Sequence, residues 1–141
     1  RITPDVHMAV VASPNYLSSR PPIVLPADLM DHNCINLRLP THGALYAWEF
    51  ENGGQKMNVR VNGQTVFNNT FLMMQAALDG AGIAYIPHDL AAKYIESEKL
   101  VSLLSDWCPH FPGYYLYYPG RQHLPIAFER VIDALRWHKK R

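Results

Sequence analysis

Asn68, Asn69 and Thr70 stand in a row immediately before the apolar run Phe71-Leu72-Met73-Met74, and this is the strongest chemical signal in the chain. Short polar side chains at a helix start accept hydrogen bonds from backbone N–H groups that the helix leaves unpaired. Capping alone accounts for all three. The same N-terminus, opened to a cleft, concentrates donors and partial positive charge, which suits a carboxylate or another anion. Arg38 is the second candidate, at the end of the apolar run Cys34 to Leu37. Ligands of open α/β sheets sit outside the carboxyl ends of strands, where a planar guanidinium can grip a carboxylate. A solvated or salt-bridged arginine is the alternative. Thr41 and His42 follow in the next loop and either line the same space or belong to the surface.

The other reactive residue types are not spaced for catalysis or metal binding. Seven histidines, among them His7, His32, His88 and His123, show no HxH, HxxxH or HExxH pattern. There is no GxSxG elbow, no P-loop and no GxGxxG. Gly80-Ala81-Gly82 follows a helical stretch and simply turns the chain. No catalytic residue, metal or cofactor is expected. Cys34 and Cys108 lie far apart outside any CxxC pattern and read as free thiols of a reducing cytosol, with one disulfide as the open alternative. Tyr114, Tyr115, Tyr117 and Tyr118 could stack nucleic acid bases. Thirteen basic against twelve acidic side chains give a formal charge of +1, so packing in a core or cleft wall is the better reading.

The elements that must position these residues follow from periodicity. With 141 residues, 48% of them apolar, the chain suffices for one globular domain. No apolar run approaches the roughly 18 residues of a membrane span, and residues 1–17 do not have the charged n-region, h-region and cleavage-site pattern of a secretory leader. Val6 to Ala12 reads as a strand buried on both faces, and Ser13-Pro14 caps a short helix through Leu17. Pro21, Pro22 and Pro26 stiffen the next stretch, and Ala27 to Met30 is one helical turn. Cys34 to Arg38 is a strand. Trp48, Phe50, Met57, Val59 and Val61 alternate with polar residues around Asn52-Gly53-Gly54, which is a hairpin with one wet face.

Val66-Phe67 is a short strand leading into a helix from Thr70 to Leu78. That helix is apolar nearly all round and is expected to be buried by sheet and neighbours. Gly80 ends it, Ile83 to Ile86 is the next strand, and Pro87 precedes a helix from Asp89 to Glu96. Strand, helix, strand at this spacing implies a parallel, right-handed crossover. Val101 to Leu104 and Tyr114 to Tyr118 are two further strands. Pro125 opens a terminal helix with Phe128, Val131, Ile132 and Leu135 at helical spacing, and His138 to Arg141 complement its negative pole. The class is α/β.

In chain order, VVASPNYL (10–17), PADL (26–29), DHNCINLR (31–38), WEF (48–50), VNGQTVFNN (61–69), AALDGAGIAYIPHDL (76–90), DW (106–107) and YYLYYPGRQHLP (114–125) resemble the effector-binding domain of LysR-type transcriptional regulators. Any one piece is weak; the ordered set is specific. One departure is Asn68-Asn69, where the family often carries Asn-Asp. Loss of that negative charge either favours an anionic ligand or only changes the cap.

The resemblance implies a periplasmic-binding-protein-like (type 2) two-lobed α/β fold, with lobe two complete and lobe one partial. Residues 1–15 would be the crossover strand of lobe one, 16–100 lobe two, and 101–141 the return strand and terminal helix of lobe one. The family's winged helix-turn-helix and first half of lobe one have no counterpart here, so the chain reads as cut from something longer. Val6 to Ala12 and the terminal helix are then expected to lose partners and to be exposed, covered by another molecule or rearranged. The resemblance also implies an effector held between lobes, with lobe-two contacts at Arg38, Leu39, Pro40, Thr41, Asn68, Asn69 and Thr70. It further implies a cytoplasmic homo-oligomer, dimer or tetramer, that reaches DNA only through the N-terminal domain and catalyses nothing. A solute-binding transport receptor is the rival with the same fold.

Overall fold

The computed structural model describes residues 1–120 and 124–138; His123 and the basic end Lys139 to Arg141 lie outside the described residues. Internal contacts divide the chain into two compact units. One is His7–Pro109; the other joins Arg1–Val6 to His110–Arg141.

The sheet of the larger unit runs β5-β2-β6-β1-β7, with β1 at Val6–Ala12, β2 at Cys34–Leu37, β5 at Val66–Phe67, β6 at Ile83–Pro87 and β7 at Val101–Leu103. The short helix α1 (Pro14–Leu17) follows β1 as expected, capped by Ser13, whose Oγ accepts from the Tyr16 N–H at 3.1 Å. Alternation along each strand sends side chains to opposite faces. Ala9 and Val11 of β1, Ile35 of β2 and Ala84 and Ile86 of β6 join one buried cluster with Met73, Met74 and Ala77 of α2 (Thr70–Leu78) and Ala91 of α3 (His88–Glu96). Val10, Ala12, Cys34, Ile83 and Tyr85 face the other way, onto Trp48 and Phe50. Helices thus cover one face of the sheet and the hairpin of β3 (Trp48–Asn52) and β4 (Gln55–Val59) covers part of the other. Tyr85 anchors the hairpin face: its hydroxyl donates to the Glu49 carbonyl at 2.8 Å, and its ring stacks on Trp48 at 5.5 Å.

Two glycines permit the close approach of segments around β2. A Cβ at Gly63 would stand 1.7 Å from the Cys34 carbonyl oxygen, and one at Gly82 would stand 2.2 Å from that of Asn33. Gly80, with φ +81°, closes α2 in the left-handed conformation that glycine takes at a helix end. Cys34 and Cys108 are free thiols.

One expectation for this unit is corrected. α2 is buried on one side only: Met73, Met74 and Ala77 face the sheet, while Phe71 and Leu72 are 52% and 45% exposed. Helical phase sets them on the side of α2 away from Met73, Met74 and Ala77, the side that also carries the exposed Asp79, so an apolar circumference did not mean burial all round. Of the alternatives given for Val6 to Ala12, exposure does not apply to Ala9 to Ala12. Ala9 and Val11 are covered by the cluster of α2 and α3, and Val10 and Ala12 by the cluster of Trp48 and Phe50, while β6 and β7 pair with the two edges of β1.

In the smaller unit Tyr114 to Tyr118 is not a strand. The segment is extended but its ties to Ile2 and Thr3 are two isolated hydrogen bonds at Tyr114, 2.8 and 2.7 Å long, rather than a ladder. Nor do the tyrosines pack in a core: Tyr115 and Tyr117 are 64% and 90% exposed. Tyr118 is the exception, meeting Phe128 edge to face at 5.6 Å. The terminal helix α4 (Ile126–Leu135) forms where its spacing predicts, with Ile126, Val131 and Leu135 exposed.

Candidate functional site

The parallel strands β5, β2 and β6 are neighbours, so their carboxyl ends emerge along one edge of the sheet. Leu37 pairs with Phe67, and the Arg38 N–H donates to the Phe67 carbonyl at 2.8 Å. That step brings the two sequence-predicted segments together: Arg38 and Asn68 leave the sheet side by side. Beside them, on the far side of β2, β6 ends at Pro87 and hands the chain to α3. Sequence reasoning overlooked this third carboxyl end, because only the strand order shows that β6 lies next to β2.

Asn69 is the N-cap of α2. Its backbone is extended, with φ −147° and ψ 127°, and its Oδ1 accepts from the N–H groups of Phe71 at 2.8 Å and Leu72 at 3.4 Å. A cap of this type stabilises by about 1 kcal/mol. It also occupies two donors that an anion would otherwise use, so the expected anion-binding helix end is already partly satisfied from within.

Arg38 is likewise engaged. Its Nη1 donates to the Gly43 carbonyl at 2.6 Å, closing the loop from Leu39 to Ala44 over itself. The loop is tightened by Leu39 N–H to Ala44 O at 2.9 Å and by Gly43 N–H to Leu39 O at 3.0 Å, with Gly43 at φ +68°. His42 serves that turn too, accepting from the Ala44 N–H at 3.3 Å. Pro40 and Thr41 are exposed and Leu39 is half-buried. Among the described residues, the side chains of Asn68, Thr41 and Thr70 make no hydrogen bond. The edge therefore offers neutral hydrogen-bonding groups, one partly engaged guanidinium and the exposed apolar surface of Phe71 and Leu72.

Behind the edge, Asn36 is only 4% exposed and its Nδ2 donates to the Val61 carbonyl at 3.2 Å. The pairing of Cys34 N–H with Asn62 O and of Asn36 N–H with Thr65 O completes the approach of β5 to β2. These bonds fix the register that delivers Arg38 and Asn68 to the same place.

Helices over one face of a mixed sheet, with polar loops gathered at the carboxyl edge of its parallel strands, define a binding domain of the periplasmic-binding-protein type. The family profile described as "LysR substrate binding domain" matches residues 2–139. The chain belongs to that family. A "Putative transcriptional regulator" of Pseudomonas aeruginosa PAO1 is 49% identical over 140 residues, covering 99% of this chain and 46% of that protein. The "HTH-type transcriptional regulator PgrR" of Escherichia coli K12 is 43% identical over 137 residues, covering 97% and 46%. The chain thus spans about half the length of these curated relatives, 46% of each. Among solved structures, a full-length variant of AphB superposes with a TM-score of 0.77 at 26% identity, covering 98% of this chain and 47% of that one. The regulatory domain of AphB from Vibrio vulnificus gives 0.72 at 25% identity, covering 96% and 66%. Among the described residues no helix is long and apolar enough to cross a membrane.

Proposed function

We propose that this chain is the effector-sensing part of a LysR-type transcriptional regulator, and that Arg38, Leu39, Pro40, Thr41, Asn68, Asn69 and Thr70 form the lobe-two side of its effector site. The observation that carries this reading is the parallel pairing of Leu37 with Phe67, which places both polar segments at one carboxyl edge. Residues 16–100 act as lobe two, 1–15 as the crossover strand and 101–141 as the return into lobe one. The effector is a small molecule with an anionic or hydrogen-bond-accepting group for the edge and an apolar part for Phe71 and Leu72.

The protein works in the cytoplasm as a homo-oligomer and catalyses no reaction. Effector binding favours one lobe arrangement over another and so changes how the subunits present a separate N-terminal domain to DNA. DNA recognition is not a property of these 141 residues.

Thermal unfolding with a panel of small carboxylates and neutral metabolites tests the reading. A ligand at about a hundred times its dissociation constant stabilises by about 2.7 kcal/mol. The shift is lost or reduced in Asn69→Ala and Arg38→Ala. A ligand whose shift survives in both places the site elsewhere, and sequence-specific DNA binding by the chain alone in a gel-shift assay contradicts the division of labour.

A further inference from the structure

His7 and His88 are brought together by a register that the sequence conceals. β1 runs antiparallel to β6, and the ladder ends with Met8 opposite Pro87, so His7 and His88, the first residue of α3, follow next to each other just beyond it. The two rings stack, with centroids 4.2 Å apart and planes 27° from parallel, and His7 keeps a further partner besides His88. Both are half-buried, open to solvent yet held by regular elements on each side.

We infer that His7 and His88 form a two-imidazole chelating site for a late first-row divalent cation, with Cu2+ bound more tightly than Ni2+ or Zn2+. Imidazole nitrogen suits these ions and leaves Mg2+ and Ca2+ to oxygen ligands, and the order among the three follows the general affinity series. Ring centroids 4.2 Å apart keep a nitrogen of each imidazole within reach of one ion lying about 2.0–2.1 Å from each nitrogen. Stacked rings do not aim at a common point. The ring torsion is broad, however, so a turn of each imidazole opens the stack without moving the backbone.

One nitrogen of each ring suffices, which leaves the other for a second partner of the kind that ligating histidines ordinarily keep. The positive pole of α3 opposes a cation beside His88, and the Asp89 carboxylate in the same first turn offsets it. Among the described residues no group of three or more His, Cys, Asp or Glu side chains is arranged for a metal. The site is therefore open, with water completing the coordination, and weaker than a closed structural centre.

The test titrates the 141-residue chain with Cu2+ alone and reads the bound ion by electron spin-echo spectroscopy. One Cu2+ per chain carrying two equatorial imidazoles is expected. His7→Ala and His88→Ala should each weaken binding at least as much as loss of an outer-shell partner does, about 10–100-fold, while His42→Ala leaves it unchanged. Should a variant fail to fold, paramagnetic broadening in the unaltered chain decides: amide signals of Met8 and Asp89 vanish first, and those around His32 and His42 persist. No bound copper, a single imidazole, equal affinity in all variants or broadening centred elsewhere overturns the assignment.

Discussion

Asn33 donates from Nδ2 to the Ala81 carbonyl at 2.7 Å, joining the start of β2 to the turn that leads α2 into β6. Its Oδ1 accepts from the Gln64 N–H at 2.8 Å, and its carbonyl accepts from the Ile83 N–H at 3.0 Å. One residue therefore ties the amino ends of three parallel strands. Their carboxyl ends, four residues on, inherit the alignment that sets Arg38 beside Asn68.

Asn33→Ala removes both bonds; the exposed Gln64 N–H turns to water, and loss of the part-buried bond to the Ala81 carbonyl costs about 1 kcal/mol. Urea unfolding should show a lower midpoint with an unchanged slope. Asn33→Asp keeps the acceptor for Gln64 but turns a carboxylate toward the Ala81 carbonyl, so it should not restore stability. Full rescue by aspartate contradicts the assigned orientation of the amide.

The cap at Asn69 separates stability from binding. Asn69→Ala loses two hydrogen bonds to the first turn of α2 and should destabilise by about 1 kcal/mol. Asn69→Asp retains the accepting oxygen and adds a charge that the helix N-terminus favours. It should unfold at the same denaturant concentration as the parent or a higher one, yet bind an anionic effector more weakly through repulsion. An aspartate variant that binds anions as well as the parent removes Asn69 from the effector site.

Gly63 and Gly53 make a contrasting pair. Alanine at Gly63 drives its Cβ into the Cys34 backbone, where nothing flexible can yield, and should cost about 3 kcal/mol or more. Alanine at Gly53 meets open space and pays only for a left-handed backbone at φ +58°, about 1–2 kcal/mol. Equal unfolding midpoints for the two variants would contradict the close approach of Gly63 to β2.

Buried thiols set an alkaline limit on stability. Burial pushes Cys34 up to about 12 and Cys108 up to about 11 from the ordinary 9.0, and burial followed by the neighbouring Glu49 raises Tyr46 from 10.0 to about 12. In each case the folded state holds its proton more tightly than the unfolded chain. Their contribution is intact below about pH 9 and is lost as pH rises toward the folded values. Unfolding midpoints should hold steady between pH 7 and roughly 8.5 and fall beyond, with a shallower fall in Cys34→Ala. An identical fall in that variant excludes the thiol as a cause.

Local patterns were legible from the residues alone. The apolar runs Val10 to Ala12 and Ile83 to Ile86 mark strands buried on both faces, and Asn69 before an apolar run marks the start of α2, because these signals depend on neighbours a few positions away. What failed depended on which side is covered and on distant parts of the chain. Phe71 and Leu72 are as apolar as Met73 and Met74, but helical phase sets them on the side of Asp79, away from the sheet. Tyr114 to Tyr118 has strand-like composition without a strand beside it to complete a ladder. Within the site, only the family resemblance groups Arg38 with Asn68, and the bond from the Arg38 guanidinium to Gly43 O depends on how the following loop folds back. His7 and His88 show no motif at all until β1 pairs with β6.

The central claim is that the carboxyl edge of β2 and β5 receives a small-molecule effector. Amide chemical-shift mapping of the 141-residue chain, titrated with a ligand that raises its unfolding temperature, tests this most directly. Saturable shifts concentrated at residues 38–41 and 68–72, and reached only at higher ligand concentration in Asn69→Asp for an anionic ligand, are the predicted result. Saturable binding that leaves those amides unmoved contradicts the account.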